Sequence, residues 1–265
     1  MCLVESRPVW RCREAWKQPV ADNIPQGVRE DVERRVSREL GHRVRSWTAL
    51  SGGGNNRLYR LETGGGSPLV VKRYRRSLWL DEFFRPSGAG PLAREYASLS
   101  LLRSRGIDGV PRPYVKSDEY DYAVYSLEPG EPPSPSEPGA AEMRALAGLV
   151  AALHGFGPDD VGVELPRALE AGFSLAEHVA ASENRLRVFE GLAADPAASD
   201  TARELVAELD LRAEVGRLIA RATEGLGEDE IAAPLPRAQW RLSSGDFHVV
   251  NLLVEGDRVG VVDWE

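Results

Sequence analysis

The chain has 265 residues and a mass of 29.0 kDa, long enough to bury a sizeable core as one large domain or two lobes. Hydrophobic residues make up 42% and charged residues 28%, which excludes collagenous, coiled-coil and wholly disordered classes. The formal net charge of −8 is unevenly spread, with 18 Lys and Arg against 11 Asp and Glu in residues 1–100 and 15 against 30 in residues 101–265; an acidic chain with no basic face argues against nucleic acid as its main partner. In chain order, residues 1–27 read as an N-terminal extension that mixes Arg, Glu, Trp and Pro and has neither a secretory-signal nor a transit-peptide pattern. Cys2 and Cys12, the only cysteines, both fall there; a disulfide between them is one reading, and free thiols of a cytoplasmic protein are the expectation. No Cys/His cluster has zinc spacing.

Val28, Val32, Val36 and Leu40 recur every four residues between Pro25 and Gly41, which predicts an amphipathic helix with a glycine stop. Strands are predicted over 44–50, 57–62 and 69–74, joined by the Gly-rich turns Ser51-Gly-Gly-Gly-Asn-Asn56 and Gly64-Gly-Gly-Ser-Pro68 in an antiparallel meander. Residues 75–90 read as an insertion anchored by Trp79, Phe83 and Phe84. A helix over 91–105 puts Leu92, Tyr96, Leu99 and Leu102 inward, and two strands follow near 113–115 and 122–127. The Pro-rich stretch 128–139 marks the domain boundary. Helices are expected over 140–154, 173–193 and 198–225, and a β-hairpin around Glu255-Gly-Asp257, from 252–254 to 259–263. The longest apolar stretch, Ala145 to Leu153, is nine residues with a Gly, far short of the ~20 needed to span a bilayer.

Chemistry concentrates in the final block. Ser243-Ser-Gly-Asp-Phe-His-Val-Val-Asn251 precedes the hairpin and Val261-Val-Asp-Trp-Glu265 follows it. Asp246, Asn251 and Asp263 thus stand at the ends of short apolar strands. Turn chemistry alone often puts Asp and Asn there, but hard cations such as Mg²⁺ also take a few carboxylate or amide oxygens and complete their shell with waters and phosphates. Upstream, Lys72 lies in Leu-Val-Val-Lys, a run suited to burial, where an unpaired ammonium is costly unless it snorkels from a strand end. The turn holding Gly53 and Gly54 could bring backbone N–H groups against phosphates, although Gly-rich hairpin turns without ligands are common and no G-x-x-x-x-G-K-[ST] occurs.

Asp246, then Asn251 five residues on, a hairpin and Asp263 have the spacing of a kinase catalytic loop and its downstream metal aspartate. From about residue 28 to its end the chain resembles the aminoglycoside phosphotransferase and choline kinase-like family. The resemblance implies an α+β bilobal protein-kinase-like fold: a nucleotide-binding N-lobe over 28–127, a hinge over 128–139 and a mainly helical C-lobe over 140–265 with the short hairpin. It implies an ATP- or GTP-dependent, Mg²⁺-assisted phosphotransferase with a small-molecule hydroxyl acceptor, for which the acidic second part suggests a cationic compound such as an aminoglycoside or an amino alcohol. Asp246 would then orient the acceptor hydroxyl and take its proton, while Asn251 and Asp263 would hold Mg²⁺. Lys72 would contact the α- and β-phosphates and Glu95 would fix Lys72, leaving Arg94 as solvated surface. The base would lie on the hinge near Ser126, Leu127 and Glu128. His248 is given no catalytic role.

Three departures accompany the resemblance. Ser244 stands where the family has His, the 75–90 insertion lengthens the path to Glu95, and the chain stops two residues after Asp263, where relatives continue through further helices. The expectation is a C-lobe incomplete at its end, with exposed apolar surface and a tendency to associate. Two other readings compete. A metal-dependent phosphohydrolase could use Asp246-x-His248, but no histidine follows to complete a two-metal site. A non-catalytic kinase-like module that binds nucleotide or a partner would fit Ser244 and the early stop, but not the presence of Lys72, Glu95, Asp246, Asn251 and Asp263 together. A serine hydrolase is excluded, because no G-x-S-x-G elbow is present.

Overall fold

A computed structural model describes residues 24–50, 56–74, 89–133, 139–161, 165–168, 171–194, 203–204, 208–242, 251–256 and 258–264. The chain divides into two compact units, one built on a sheet and one on helices.

In the sheet unit, helix α1 (Gln26–Leu40) ends as predicted, with Gly41 at φ 71° and its N–H closing on Ser37 O. Strands β1 (Val44–Leu50), β2 (Arg57–Thr63), β3 (Leu69–Arg73), β4 (Pro113–Ser117) and β5 (Tyr122–Ser126) pair antiparallel in the order β1-β2-β3-β5-β4. The first three form the expected meander. Helix α2 (Pro91–Ser104) then separates β3 from the β4–β5 hairpin, which returns with its second strand against β3. Side chains alternate between the two faces of a strand. On one face Tyr59, Leu61, Leu69, Val71, Val115, Tyr122 and Val124 form a core with Val28, Val32 and Val36 of α1. The register therefore puts Val70 and Lys72 of β3, and Ala123 and Tyr125 of β5, on the opposite face.

The α1 interface also contains a charge that the apolar period does not reveal. Asp31 is 2% exposed. Its carboxylate accepts from Tyr122 Oη at 2.7 Å and Arg35 Nε at 3.0 Å, and pairs with Arg34. Burial raises its pKa, but the Tyr122 hydrogen bond and the arginines outweigh burial and leave it lowered. Breaking a buried pair typically costs about 3–5 kcal/mol where it strands a buried charge. Asp31→Ala instead leaves solvent-accessible arginines but also a buried Tyr122 hydroxyl without its acceptor, and is expected to lower unfolding free energy by about 1–3 kcal/mol in urea titrations. The contribution has a definite pH sign. A carboxyl depressed by folding adds stability above its unfolded pKa of about 4 and loses it as pH falls through the lower folded value. Acid titration should accordingly show a smaller stability loss in Asp31→Ala than in the parent.

The C-terminal hairpin, β6 (Leu252–Glu255) and β7 (Arg258–Val261), groups with the sheet unit. Glu131 and Val254 exchange backbone hydrogen bonds at 3.1 and 2.8 Å, and Val261 N–H donates to Gly109 O at 2.7 Å. Gly109 and Gly130 make this seat possible. Both have positive φ, 78° and 109°, and a Cβ at either would lie 2.7 Å from a hairpin carbonyl oxygen, closer than any side chain tolerates. The hairpin turn is also as predicted, with Gly256 at φ 63°. β7 ends at Val261 rather than running to Asp263, because Asp263 adopts φ 64° and leaves the extended conformation.

The helical unit contains α3 (Ala140–His154), α4 (Pro158–Val161), α5 (Leu175–Ala194), α6 (Leu211–Ala222) and α7 (Glu228–Ala232), followed by a 3₁₀ turn at Arg237–Gln239. Leu153 and Leu186 are buried, and Phe173 stacks on Trp240 with ring centroids 4.2 Å apart. The single helix expected over 198–225 is not continuous through its described part. Asp210 accepts from Ala213 N–H at 3.2 Å and so starts α6 afresh at Leu211, a capping signal that competes with the apolar period. No described helix is long and apolar enough to cross a membrane.

Candidate active site

The sheet face opposite the α1 core is organised around Lys72. Strand alternation turns its side chain away from the α1 core, and pairing with Leu58 on β2 and Ala123 on β5 fixes its position in the sheet. Its ammonium lies 2.6 Å from Glu95 Oε2 of α2, with the two side chains only 7% and 3% exposed. A buried ammonium needs such a partner, because desolvation otherwise drives it to lose its charge. The separation of 23 residues leaves this contact wholly to tertiary structure: β3 presents the lysine and α2 returns the carboxylate.

Two tyrosines outside the motif spacing join the cluster. Tyr74 Oη donates to the same Glu95 Oε2 at 2.6 Å, and Tyr74 and Tyr125 hydroxyls lie 2.7 Å apart. The Lys72 ammonium also sits 5.2 Å from the Tyr74 ring centroid, within cation–π range. Burial above all, then the charge of Glu95 and the neighbouring Tyr125, pushes the Tyr74 phenol well above its ordinary pKa, so it remains a donor. The signal for Tyr74 was available: two residues beyond Lys72, it shares the lysine's face. Tyr125 could be found only once β5 was known to lie beside β3.

Arg94 departs from expectation, being buried at 4% exposure rather than solvated. The buried positions of α2 include Leu92, Arg94, Glu95, Leu99, Leu101 and Leu102, which covers more than one side of the helix. Tyr96, expected inward, is half-buried.

At the end of β5, Ser126 Oγ accepts from Arg112 N–H at 2.7 Å and donates to Glu128 Oε1 at 2.5 Å. Ser126 N–H donates to Arg112 O at 2.9 Å, and Leu127 N–H donates to Pro68 O at 3.4 Å. The hinge side chains of Ser126 and Glu128 are thus tied to each other, and all three residues are half-buried.

Asn251 is buried at the start of the hairpin, and its backbone oxygen accepts from Val262 N–H at 2.9 Å. The next residue, Asp263, is one of two non-glycine residues with positive φ among those described. Such a conformation costs energy that surrounding structure must supply, and it concentrates at functional positions. Trp264, 1% exposed, is buried directly beside it in the chain. Gly53 and Gly54, the loop with Ser244, Asp246 and His248, residues 75–88 of the insertion, and Glu265 lie outside the described residues.

The fold has counterparts among solved structures. A macrolide 2′-phosphotransferase from Brachybacterium faecium is 19% identical, with a TM-score of 0.52 over 89% of this chain and 71% of that one. A spectinomycin phosphotransferase in complex with ADP and spectinomycin is 14% identical, with a TM-score of 0.54 over 89% and 68% of the two chains. APH(2″)-IIa in its gentamicin complex is 14% identical, with a TM-score of 0.55 over 91% and 70%. At these identities the likeness is one of fold. By sequence, no curated protein is significantly similar to the chain. The sequence model of the phosphotransferase enzyme family, in contrast, matches residues 46–265, which include every candidate site residue from Gly53 to Asp263. The chain therefore belongs to the phosphotransferase enzyme family, kinase-like enzymes that transfer a phosphoryl group to a hydroxyl acceptor.

Proposed function

We propose that the protein is an ATP- or GTP-dependent O-phosphotransferase for a small, cationic hydroxyl compound, with residues 28–127 as nucleotide lobe, 128–139 as hinge and 140–265 as catalytic lobe. The observation that carries this reading is the buried Lys72–Glu95 pair at 2.6 Å. It keeps a charged ammonium oriented on the sheet face opposite α1, as contact with the α- and β-phosphates requires. The Gly53–Gly54 turn supplies backbone N–H groups to phosphate oxygens, and the Ser126–Glu128 hinge carries the base.

Asn251 and Asp263 would hold the metal. An amide and a carboxylate oxygen suit a hard divalent cation, with nucleotide phosphates and waters filling the remaining positions. When bound, Mg²⁺ neutralises charge on the nucleotide phosphates. Asp246 orients the acceptor hydroxyl and takes its proton as the new O–P bond forms and the bond from the γ-phosphorus to its leaving oxygen breaks. Catalysis in this class is mainly positioning and charge stabilisation. The excess of 30 Asp and Glu over 15 Lys and Arg in residues 101–265 favours a cationic acceptor. Gentamicin and spectinomycin, the compounds bound in two structures of similar fold, are consistent with that class.

The test is thermal unfolding with and without Mg²⁺·ATP, on the parent and on Asp263→Asn. A ligand bound only by the folded state at a hundredfold excess over Kd stabilises by about 2.7 kcal/mol. The parent should show a magnesium-dependent rise in Tm that Asp263→Asn loses; a folded parent with no rise removes the nucleotide site. Phosphorylation of neutral sugars at the same rate as amino alcohols and aminoglycosides would remove the cationic acceptor alone.

A further inference from the structure

We infer that Tyr74 and Tyr125 are positioning residues for the nucleotide site, a donor relay that holds the Glu95 carboxylate so that Lys72 is aimed at the phosphates. The inference rests on the reading that Lys72 meets the nucleotide, and it assigns a role to two side chains that the spacing of motifs does not reach.

The direction of the relay follows from counting protons. A phenol has one O–H to donate. Tyr74 gives its proton to Glu95 Oε2 at 2.6 Å, so the 2.7 Å contact between the two hydroxyls must be Tyr125 donating to Tyr74. The order is then Tyr125 to Tyr74 to Glu95, with Lys72 donating to the same carboxylate oxygen from 2.6 Å. One oxygen held by two donors, Lys72 on β3 and Tyr74 just past its end, cannot turn without losing one of them. A lone ion pair between two long side chains would permit that rotation.

Geometry gives Tyr74 a second hold on the lysine. The ammonium lies over its ring as well as against Glu95, so the lysine is restrained from two directions. Tyr125 sits on β5, which makes the relay span two strands and α2. Phenylalanine would fill the same space with no buried hydroxyl to satisfy. The tyrosine edges meet oxygen, and hydrogen bonds that end on a charged group are roughly twice as strong as neutral ones.

The experiment measures the affinity of the full chain for Mg²⁺·ATP and for adenosine, which has no phosphate. The variants are Tyr74→Phe, Tyr125→Phe, Lys72→Met and the double variant Lys72→Met with Tyr74→Phe. Phenylalanine keeps the ring and its packing, so folding is preserved, and thermal unfolding without ligand verifies it. Tyr74→Phe should weaken Mg²⁺·ATP about fivefold, the worth of one hydrogen bond, and leave adenosine within about twofold. Tyr125→Phe should have the same selectivity and a smaller effect. In the Lys72→Met background Tyr74→Phe should add nothing, because coupled residues are not additive.

Unchanged Mg²⁺·ATP affinity in Tyr74→Phe overturns the relay, as does equal weakening of ATP and adenosine, which marks a merely structural tyrosine. Those results leave the site reading intact if Lys72→Met still weakens Mg²⁺·ATP. If Lys72→Met binds Mg²⁺·ATP like the parent, or the folded parent binds neither ligand, the reading of the site fails and the relay fails with it.

Discussion

Asp246→Asn is expected to lower the rate of phosphoryl transfer about 10²- to 10⁴-fold, the usual contribution of a positioned general base, while keeping the magnesium-dependent rise in Tm with ATP. The two halves of this expectation come from separate properties of the side chain. Asparagine is nearly the same size and retains a carbonyl oxygen that can still accept from the acceptor hydroxyl. It cannot take the proton, so orientation persists and proton removal does not. Because Asp246 is assigned to the acceptor rather than the nucleotide, the loss should appear in kcat, with KM for ATP changed little. Steady-state kinetics with an aminoglycoside or amino alcohol acceptor decide the matter. A variant that keeps full kcat would move the proton acceptor elsewhere, and a variant that also loses the ATP-dependent rise in Tm would make Asp246 a ligand of the nucleotide–metal complex.

The legibility of this protein in its sequence differs between neighbouring features, for physical reasons. Val28, Val32 and Val36 are legible because a helix that buries one face must repeat its apolar residues, and all three are buried. The same helix hides Asp31, since a buried charge interrupts the apolar pattern, and its partner Tyr122 is 91 residues away. The β1–β3 meander follows from its glycine turns. The insertion of β5 between β3 and β4 does not, because pairing order depends on where α2 sends the chain, and local pattern does not encode it. Lys72 and Glu95 were legible as a pair only through resemblance to a family. The structure gives that pair its physical basis, a 2.6 Å contact with both side chains buried. Tyr74 follows from strand alternation and Tyr125 from strand order, so one was readable and the other was not. Gly109 and Gly130 are readable as turn formers, but their contact with the hairpin, 150 and 124 residues further on at Val259 and Val254, belongs to tertiary structure alone. At the hairpin's end the apolar run Val259 to Val262 suggests a strand through Asp263, and it is the backbone of Asp263, at φ 64°, that ends it.

Lys72→Met should lower ATP-dependent turnover by about 100-fold or more, the scale found when one donor to developing charge is removed. The variant has a second consequence that must be separated from the first. Lys72 is buried against Glu95, so removing the ammonium leaves a carboxylate with Tyr74 Oη as a remaining donor and less to offset its desolvation. Truncating one side of a buried pair destabilises by about 3–5 kcal/mol, whereas replacing both sides with neutral groups is often close to neutral. Lys72→Met alone should therefore unfold at lower urea concentration than the parent. The double variant with Glu95→Gln should recover much of that stability, because the amide can still accept from Tyr74 and carries no charge to desolvate. Turnover should not recover with it. Stability reports the pair, and activity reports the ammonium. If the double variant regained turnover along with stability, the single variant's inactivity would be a folding defect, and Lys72 would have no role at the phosphates. If stability returned while turnover stayed low, the buried pair would be a support whose purpose is to hold one cation where the nucleotide needs it.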